Sequence, residues 1–348
     1  MLAALMSPAA APPPAAPGHL AGAAAPAAAG AAAPSFRHEP VLLAEVLSYV
    51  PPGVRLAVDC TLGAGGHARA LLERFPEAKL FGCDRDPDAL AAARDSLAPY
   101  APRVLLKHLP FSELSHHVLV ESVDFLLADL GVSSPQLDEA ARGFSFTRDG
   151  PLDMRMDPTR GGRTAAELVN RARPEELLRL FYELGEERFA PRIVRAIASA
   201  RAAEPIASTG TLARIVAEAV PQRFHRPGFH PATQVFQALR MAVNEELGEL
   251  ERLLKLIPGL LAPGGRAALI AFHSLEDRRV KEAFRVWEQP CTCPPDLPRC
   301  VCGKVPLGRR LTRKPVQAGA DETRRNPRAR SAKLRVFEKA PPPAGERP

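Results

Sequence analysis

Beyond its first 35 residues the chain lacks any stretch of transmembrane length without a charge, which excludes a membrane-spanning helix. Those first 35 residues in turn lack Asp, Glu, Lys and Arg altogether and are almost wholly Ala, Pro and Gly. A proline every few residues and the lack of bulky apolar side chains leave nothing from which to build a helix or a core. Residues 1–35 are therefore expected to be a disordered tail. A secretion signal is excluded by the missing basic start and by Pro12, Pro13 and Pro14, and a mitochondrial transit peptide by the missing arginines. The expected location is the cytoplasm. Cysteine is scarce, six in 348 residues, and a reducing compartment argues against disulfides. Cys60 and Cys83, beside strand ends, read as small buried hydrophobes.

Positive charge is present and unevenly spread. The chain has 46 Lys and Arg against 39 Asp and Glu, a net charge of +7, yet residues 304–339 alone hold twelve basic side chains against three acidic ones. Such density favours a polyanion such as nucleic acid through counterion release, although a basic run taken alone reads equally well as a solvated tail. At 348 residues the chain is long enough for two domains, or for one domain with a large insertion.

The most informative stretch is Val-Asp-Cys-Thr-Leu-Gly-Ala-Gly-Gly-His, residues 58–67. An apolar strand runs into a glycine turn and then into apolar positions 68, 71, 72 and 75 at helical spacing, the entry to a nucleotide-binding βαβ unit. Asp84 closes the next strand, where a carboxylate accepts hydrogen bonds from both hydroxyls of a ribose. Gly63, Gly65 and Ala68 also satisfy a dinucleotide fingerprint, so the turn leaves a nicotinamide dinucleotide and S-adenosylmethionine both open.

Strands are expected at 55–59, 79–84, 103–108 and 123–130 with helices between, which means a parallel sheet covered on its faces. From Ala165 to Val220 the pattern is helical only. Thr164 to Glu167 form a capping box, Pro174 sits at a helix start, Gly185 suits a stop, and Leu177, Leu180, Phe181 and Leu184 make one apolar face. The sheet pattern then resumes, through a long helix carrying Val235, Leu239, Val243 and Leu247, a helix over 250–261, a strand at 266–272, a helix capped by Ser274 to Asp277, and a last strand at 332–338. The fold class is thus α/β, with a sheet domain (36–140 and 228–340) split by a helical insertion (141–227) and followed by a disordered end (341–348).

In an open parallel sheet, ligands bind outside the carboxyl ends of the strands, so the loop Asp129 to Gln136 faces the glycine turn across the cleft. Phe111 is placed to cover an adenine, or else is a core phenylalanine at a strand end. Asp129, following Phe-Leu-Leu-Ala, is costly to bury without a partner. The long loop 142–157 offers Arg142, Arg148 and Arg155 to phosphates and Phe144 or Phe146 to an unpaired base. Its bland alternative is an internally salt-bridged anchor with phenylalanines in a core.

The signatures at 38–43 (HEPVLL), 61–67 (TLGAGGH), 84–87 (DRDP), 129–138 (DLGVSSPQLD), 142–157, 272–278 (FHSLEDR) and 326–331 (NPRARS) together resemble the bacterial 16S ribosomal RNA cytosine-N4 methyltransferases, the MraW family, from Phe36 to about Lys339. That resemblance implies a class I, Rossmann-like methyltransferase fold, S-adenosylmethionine as cofactor, and as partner 16S rRNA, its cytidine in the decoding region, within an assembled small ribosomal subunit. Carried over by position, the cofactor contacts fall on Gly65, Gly66, His67, Asp84, Phe111, Asp129 and Gln136. By itself His67 reads as a surface histidine at a helix start. Many amino-group methyltransferases place Asp or Asn, two prolines and an aromatic residue after the fourth strand, whereas this chain has Asp129 and then Ser133-Ser-Pro135. Asp129 and Ser134 are the expected catalytic acceptors of the amine hydrogens, Ser134 foremost. The helical insertion, loop 142–157 and the basic segment around Arg328 and Arg330 are expected to hold RNA.

Cys291, Cys293, Cys300 and Cys302 form a quartet compact enough to wrap a structural zinc through thiolates, four unmetallated thiols being the equal alternative. The family resemblance does not require a metal there. Two other functions stay open: a nicotinamide-dependent oxidoreductase, against which no second mononucleotide-binding half is visible, and a non-enzymatic RNA-binding assembly factor.

Overall fold

The computed structural model describes residues 39–341 except 295, 296, 298 and 300. The expected tail at 1–35, the expected tail at 341–348 apart from residue 341, and the candidate zinc ligand Cys300 lie outside the described residues. In chain order the elements begin α1 (Leu43–Tyr49), β1 (Leu56–Asp59), α2 (Gly66–Arg74), β2 (Lys79–Asp84), α3 (Pro87–Leu97), β3 (Val104–His108), β4 (Val123–Asp129) and α4 (Ser134–Asp138). They continue with α5 (Ala165–Arg171), α6 (Pro174–Glu183), α7 (Ala190–Ala203), α8 (Thr209–Ala219), α9 (Thr233–Val243), α10 (Glu246–Leu260), β5 (Leu261–Ala271), α11 (Ser274–Glu288), β6 (Gly308–Arg310), α12 (Ala320–Arg325) and β7 (Lys333–Lys339).

Among the described residues the strands form one sheet in the order β3-β2-β1-β4-β5-β7-β6. The first five run parallel, while β7 pairs antiparallel with both β5 and β6. Side-chain alternation explains why the central strands read as unbroken apolar runs, since both faces of a covered parallel sheet are buried. Val58, Leu126, Ala128 and Leu269 enter one core. Ala57, Phe125, Leu127, Ala268 and Ile270 enter the other. The strand order reverses between β1 and β4, and that junction is the topological switch where ligands bind.

Between β4 and β5 the longer elements are helices, with a core of their own built on Leu152, Met154, Leu168, Leu177, Phe181, Ile193, Ile197, Leu212 and Val216. The residues expected on one face of α6 behave accordingly: Leu177 and Phe181 are buried, and Leu180 and Leu184 pack alongside. Helix α9, expected to pack with the sheet, contributes Val235, Phe236 and Leu239 to this helical core instead. Its stripe is apolar whichever layer it faces, so periodicity alone does not choose.

Two further differences are local. The edge strand β6 has no sequence signature, because Gly-Arg-Arg offers no apolar run and is held by pairing with β7 and by Arg310 on Glu288. The N-cap of α11 is His273 rather than Ser274, whose hydroxyl donates to Glu186 Oε2 at 2.7 Å. Among the described residues no helix is long and apolar enough to cross a membrane.

Candidate cofactor and catalytic site

The glycine turn joins β1 to α2. Gly65 caps α2 at φ +80°, and a Cβ there would stand 2.8 Å from Ser96 Oγ and 3.2 Å from Leu97, so the turn tolerates only glycine. Its shape is fixed by Asp84 at the end of β2, whose Oδ2 accepts from the Gly63 N–H at 2.8 Å while Oδ1 accepts from the Asp86 N–H at 2.8 Å. Burial, opposed by these two hydrogen bonds, pushes the Asp84 carboxyl up to about 6.

Two more carboxylates end neighbouring strands. Asp59, closing β1, is 3 % exposed and accepts from the Thr61 N–H at 3.1 Å. Burial pushes it up to about 7, with the negative charge of Asp84 adding to the effect. Asp129, closing β4, is driven well above the carboxylate range by burial and then by Asp59 and Glu276. Its backbone N–H donates to Thr61 Oγ1 at 2.6 Å, and its buried Oδ1 has no hydrogen-bond partner. Three crowded carboxylates, one with an orphaned oxygen, concentrate negative charge at the strand ends, opposed at Asp84 by the charge of Arg85. The donor set fits a ligand combining a cation with vicinal hydroxyls. Asp59 escaped the sequence reading, although it carries the same signal as Asp84, a carboxylate closing an apolar strand.

His67 is not on the surface. It is buried, and its Nε2–H donates to the Val41 carbonyl at 2.9 Å, which fixes the tautomer and leaves Nδ1 bare at 4.0 Å from Asp129 Oδ2. Burial lowers its pKa to about 4, so it is neutral at neutral pH. Pro40 lies against the next turn residue, Gly66, where a Cβ would meet its ring at 2.6 Å. Phe111 begins a short 3-10 turn after β3 and is half-buried against the core beneath the sheet.

Gln136 and Ser134 are both buried in the first turn of α4. The Gln136 oxygen accepts from the Ser133 N–H at 2.9 Å and its nitrogen donates to Asp86 Oδ2 at 2.7 Å, so its amide braces the loop. Ser134 Oγ accepts from Arg328, whose guanidinium also pairs with Asp138 at 3.1 Å. The hydroxyl expected to meet substrate therefore already has a cationic partner.

Loop 142–157 follows the anchor alternative. Arg142 binds Asp86 at 2.9 Å and Asp88 at 3.1 Å, and donates to the carbonyls of Arg155 and Met156. Arg155 is held bidentate by Asp153. Phe144 is buried in the helical core, and Phe146 packs edge-on against Phe236 and beside His230. Arg148 donates to the Asp138 carbonyl at 3.2 Å. Asn244, 2 % exposed, completes the anchor: its Oδ1 accepts from the Met156 N–H and its Nδ2 donates to the Met154 carbonyl. The pairs to Asp86, Asp88 and Asn244 were not legible, because these partners lie between 54 and 90 residues apart in sequence.

Near Asp129, Glu276 is buried at the start of α11. Burial would raise its pKa, but His273 at 3.0 Å, the charge of Arg240 and the Phe272 N–H together hold it below the usual range.

Residues 35–340 match the family model described as the MraW methylase family. A protein of Symbiobacterium thermophilum is 51% identical over 311 residues, which cover 88% of this chain and 97% of that protein. A Geobacter sulfurreducens protein is 53% identical over 312 residues, covering 88% and 99%. One from Nitratidesulfovibrio vulgaris is 53% identical over 309 residues, covering 87% and 95%. Each of the three is called ribosomal RNA small subunit methyltransferase H.

Proposed function

Because this chain belongs to the MraW methylase family, we propose that it transfers a methyl group from S-adenosylmethionine to the exocyclic N4 amine of a 16S rRNA cytidine in the decoding region, in an assembled small subunit. The observation that carries this reading is the carboxylate trio at the switch point of a Rossmann-like sheet, with the Asp129 Oδ1 left unsatisfied. The bound cofactor supplies a methyl group made electrophilic by a positively charged sulfur.

The protein's share is binding, placement and proton handling. Asp84 takes the ribose hydroxyls, the turn at Gly63 to Gly66 presents backbone to the ligand, Phe111 covers the adenine, and Gln136 keeps the 129–136 loop in place. A cytosine amine is a poor nucleophile because its lone pair is delocalised into the ring, so an acceptor must polarise its N–H and take a proton as the new C–N bond forms. Asp129 suits that role better than Ser134, since its Oδ1 is unoccupied and its proton affinity is high for a carboxyl group. His67 stays neutral beside it, with Nδ1 4.0 Å from Oδ2, and so adds no compensating positive charge.

This assignment predicts that, at saturating cofactor, Asp129→Asn slows single-turnover methyl transfer by about 100-fold or more, within the usual range for a lost general base. Ser134→Ala should retain the rate to within about threefold, the size of a minor contact. An Asp129→Asn enzyme with unchanged turnover contradicts the role.

The folded-state values of Asp84 and Asp59 are raised, so the stability they contribute is complete below pH 3.8 and lost as the pH rises through about 6 and about 7. A cation in the site favours the charged carboxylates. Binding should therefore expel protons and tighten as the pH rises from 5 to 7.5. Calorimetry at pH 6.5 in buffers of different ionisation enthalpy should show release of about one proton with S-adenosylmethionine, and less with uncharged-sulfur S-adenosylhomocysteine. Equal release by both ligands would mean that the trio does not sense the sulfonium.

For RNA, the basic segment offers Arg330, which is exposed, and Arg328, which is tied to Ser134 and Asp138. Arg142 and Arg155 serve the fold rather than phosphates.

A further inference from the structure

Between α11 and the edge strand β6 the chain makes an excursion over residues 289–307. Its base is well tied: the Leu307 N–H donates to the Trp287 carbonyl at 2.8 Å, and Arg310 grips Glu288 through its backbone N–H at 2.9 Å and its guanidinium at 2.7 Å. Beyond that base the described residues show little apolar packing. Leu297, Val301, Val305 and Leu307 are exposed, Val301 and Val305 to more than 70 %. An excursion of this size without a core needs a staple.

The cysteines supply one. The sulfur atoms of Cys291, Cys293 and Cys302 all lie within 4.8 Å of one another, and the Cys291 and Cys302 sulfurs are 3.8 Å apart. Tetrahedral zinc with Zn–S bonds of about 2.3 Å holds its sulfurs at about 3.8 Å, the tetrahedral edge. The Val301 N–H points at Cys293 Sγ from 3.4 Å, the contact a thiolate seeks, and Lys304, whose ammonium lies 3.3 Å from Thr292 Oγ1, brings positive charge to the same loop.

We propose that Cys291, Cys293 and Cys302 bind a structural zinc ion that staples the excursion between α11 and β6. Each thiol gives its proton to solvent on binding, and no electron is transferred. The site is separate from the methyl-transfer reading and stands or falls without it. Cys60 and Cys83, buried in the sheet domain, take no part; burial pushes both thiols well above their ordinary range.

The test uses the full chain, expressed with zinc in the medium and purified under reducing conditions without chelator. Elemental analysis should find about one zinc per chain, and Cys293→Ser/Cys302→Ser less than about a tenth of that, because a two-thiolate remnant does not retain the ion. Cobalt(II) added to stripped protein should give the intense visible bands of a tetrahedral site and a thiolate charge-transfer band. Stripping should also expose 289–307 to protease while leaving cofactor affinity within about twofold, since the staple closes only a local loop. Cofactor binding by the double variant reports that its core is folded; if that variant does not fold, the cobalt spectrum of the wild-type chain decides. A wild-type chain that neither carries zinc nor takes up cobalt overturns the proposal. So does zinc retained by a folded double variant, or a disulfide among these cysteines in the reduced preparation.

Discussion

Replacing Arg142 by alanine is expected to lower the stability of the protein by about 3–5 kcal/mol, the cost of breaking a buried ion pair by removing one partner. Asp86 is 1 % exposed, caps α3 through the Asp88 N–H at 3.0 Å, and keeps only Gln136 as a second partner once the guanidinium is gone. The same guanidinium satisfies the carbonyls of Arg155 and Met156, which are left without their donor. The damage is therefore shared by α3, the 129–136 loop and the 142–157 loop, three segments that meet at this one side chain. Arg142→Lys is expected to recover only part of the loss, since one ammonium cannot span two carboxylates and two carbonyls. Asp86→Asn combined with Arg142→Ala should be less destabilised than Arg142→Ala alone, because the stranded charge is removed with its partner. Chemical denaturation of the three variants measures this. A loss below about 1 kcal/mol for Arg142→Ala, the scale of an exposed pair, would show that the cluster does not anchor the loops.

The second large effect falls on the cofactor. Asp84→Ala is expected to weaken S-adenosylmethionine binding by 100-fold or more, since two hydrogen bonds to a charged group are each worth about 1.5–3 kcal/mol. The carboxylate also shapes the site before any ligand arrives, through the N–H groups of Gly63 and Asp86. Against this, its removal relieves the repulsion that raises Asp59, so the unliganded fold should lose less stability than a doubly hydrogen-bonded carboxylate suggests. Binding and folding thus separate in this variant: affinity collapses and the thermal midpoint moves little. Asp84→Asn, which keeps one acceptor, should fall between. Calorimetric titration of all three chains is the check. An Asp84→Ala affinity within threefold of the wild type would remove this residue from the ribose.

The sheet was legible because strands covered on both faces leave continuous apolar runs. Lys79 to Asp84 begins and ends where expected, and β1, β3 and β4 lie within one residue of expectation at either end. Asp84 and Asp129 were legible for the same reason, as carboxylates closing such runs. What escaped depends on partners distant in the chain. His67 is buried because the segment at Pro40 and Val41 folds over the glycine turn, and Ser134 has its hydroxyl engaged because Arg328 comes from 194 residues away. Loop 142–157 contains the residue types of an RNA-binding surface, and only the long-range pairs to Asp86 and Asn244 reveal that it is an internal anchor.

The central claim concerns which atom receives the methyl group. Small ribosomal subunits from cells deleted for this activity, incubated with the enzyme and S-adenosylmethionine carrying a tritiated methyl, should take up label, and mass mapping of their 16S rRNA should find it as N4-methylcytidine in the decoding region. Asp84→Ala should reduce the uptake at limiting cofactor. Label on a ring carbon, on a ribose or outside 16S rRNA, or no label under conditions where the cofactor binds, would contradict the account.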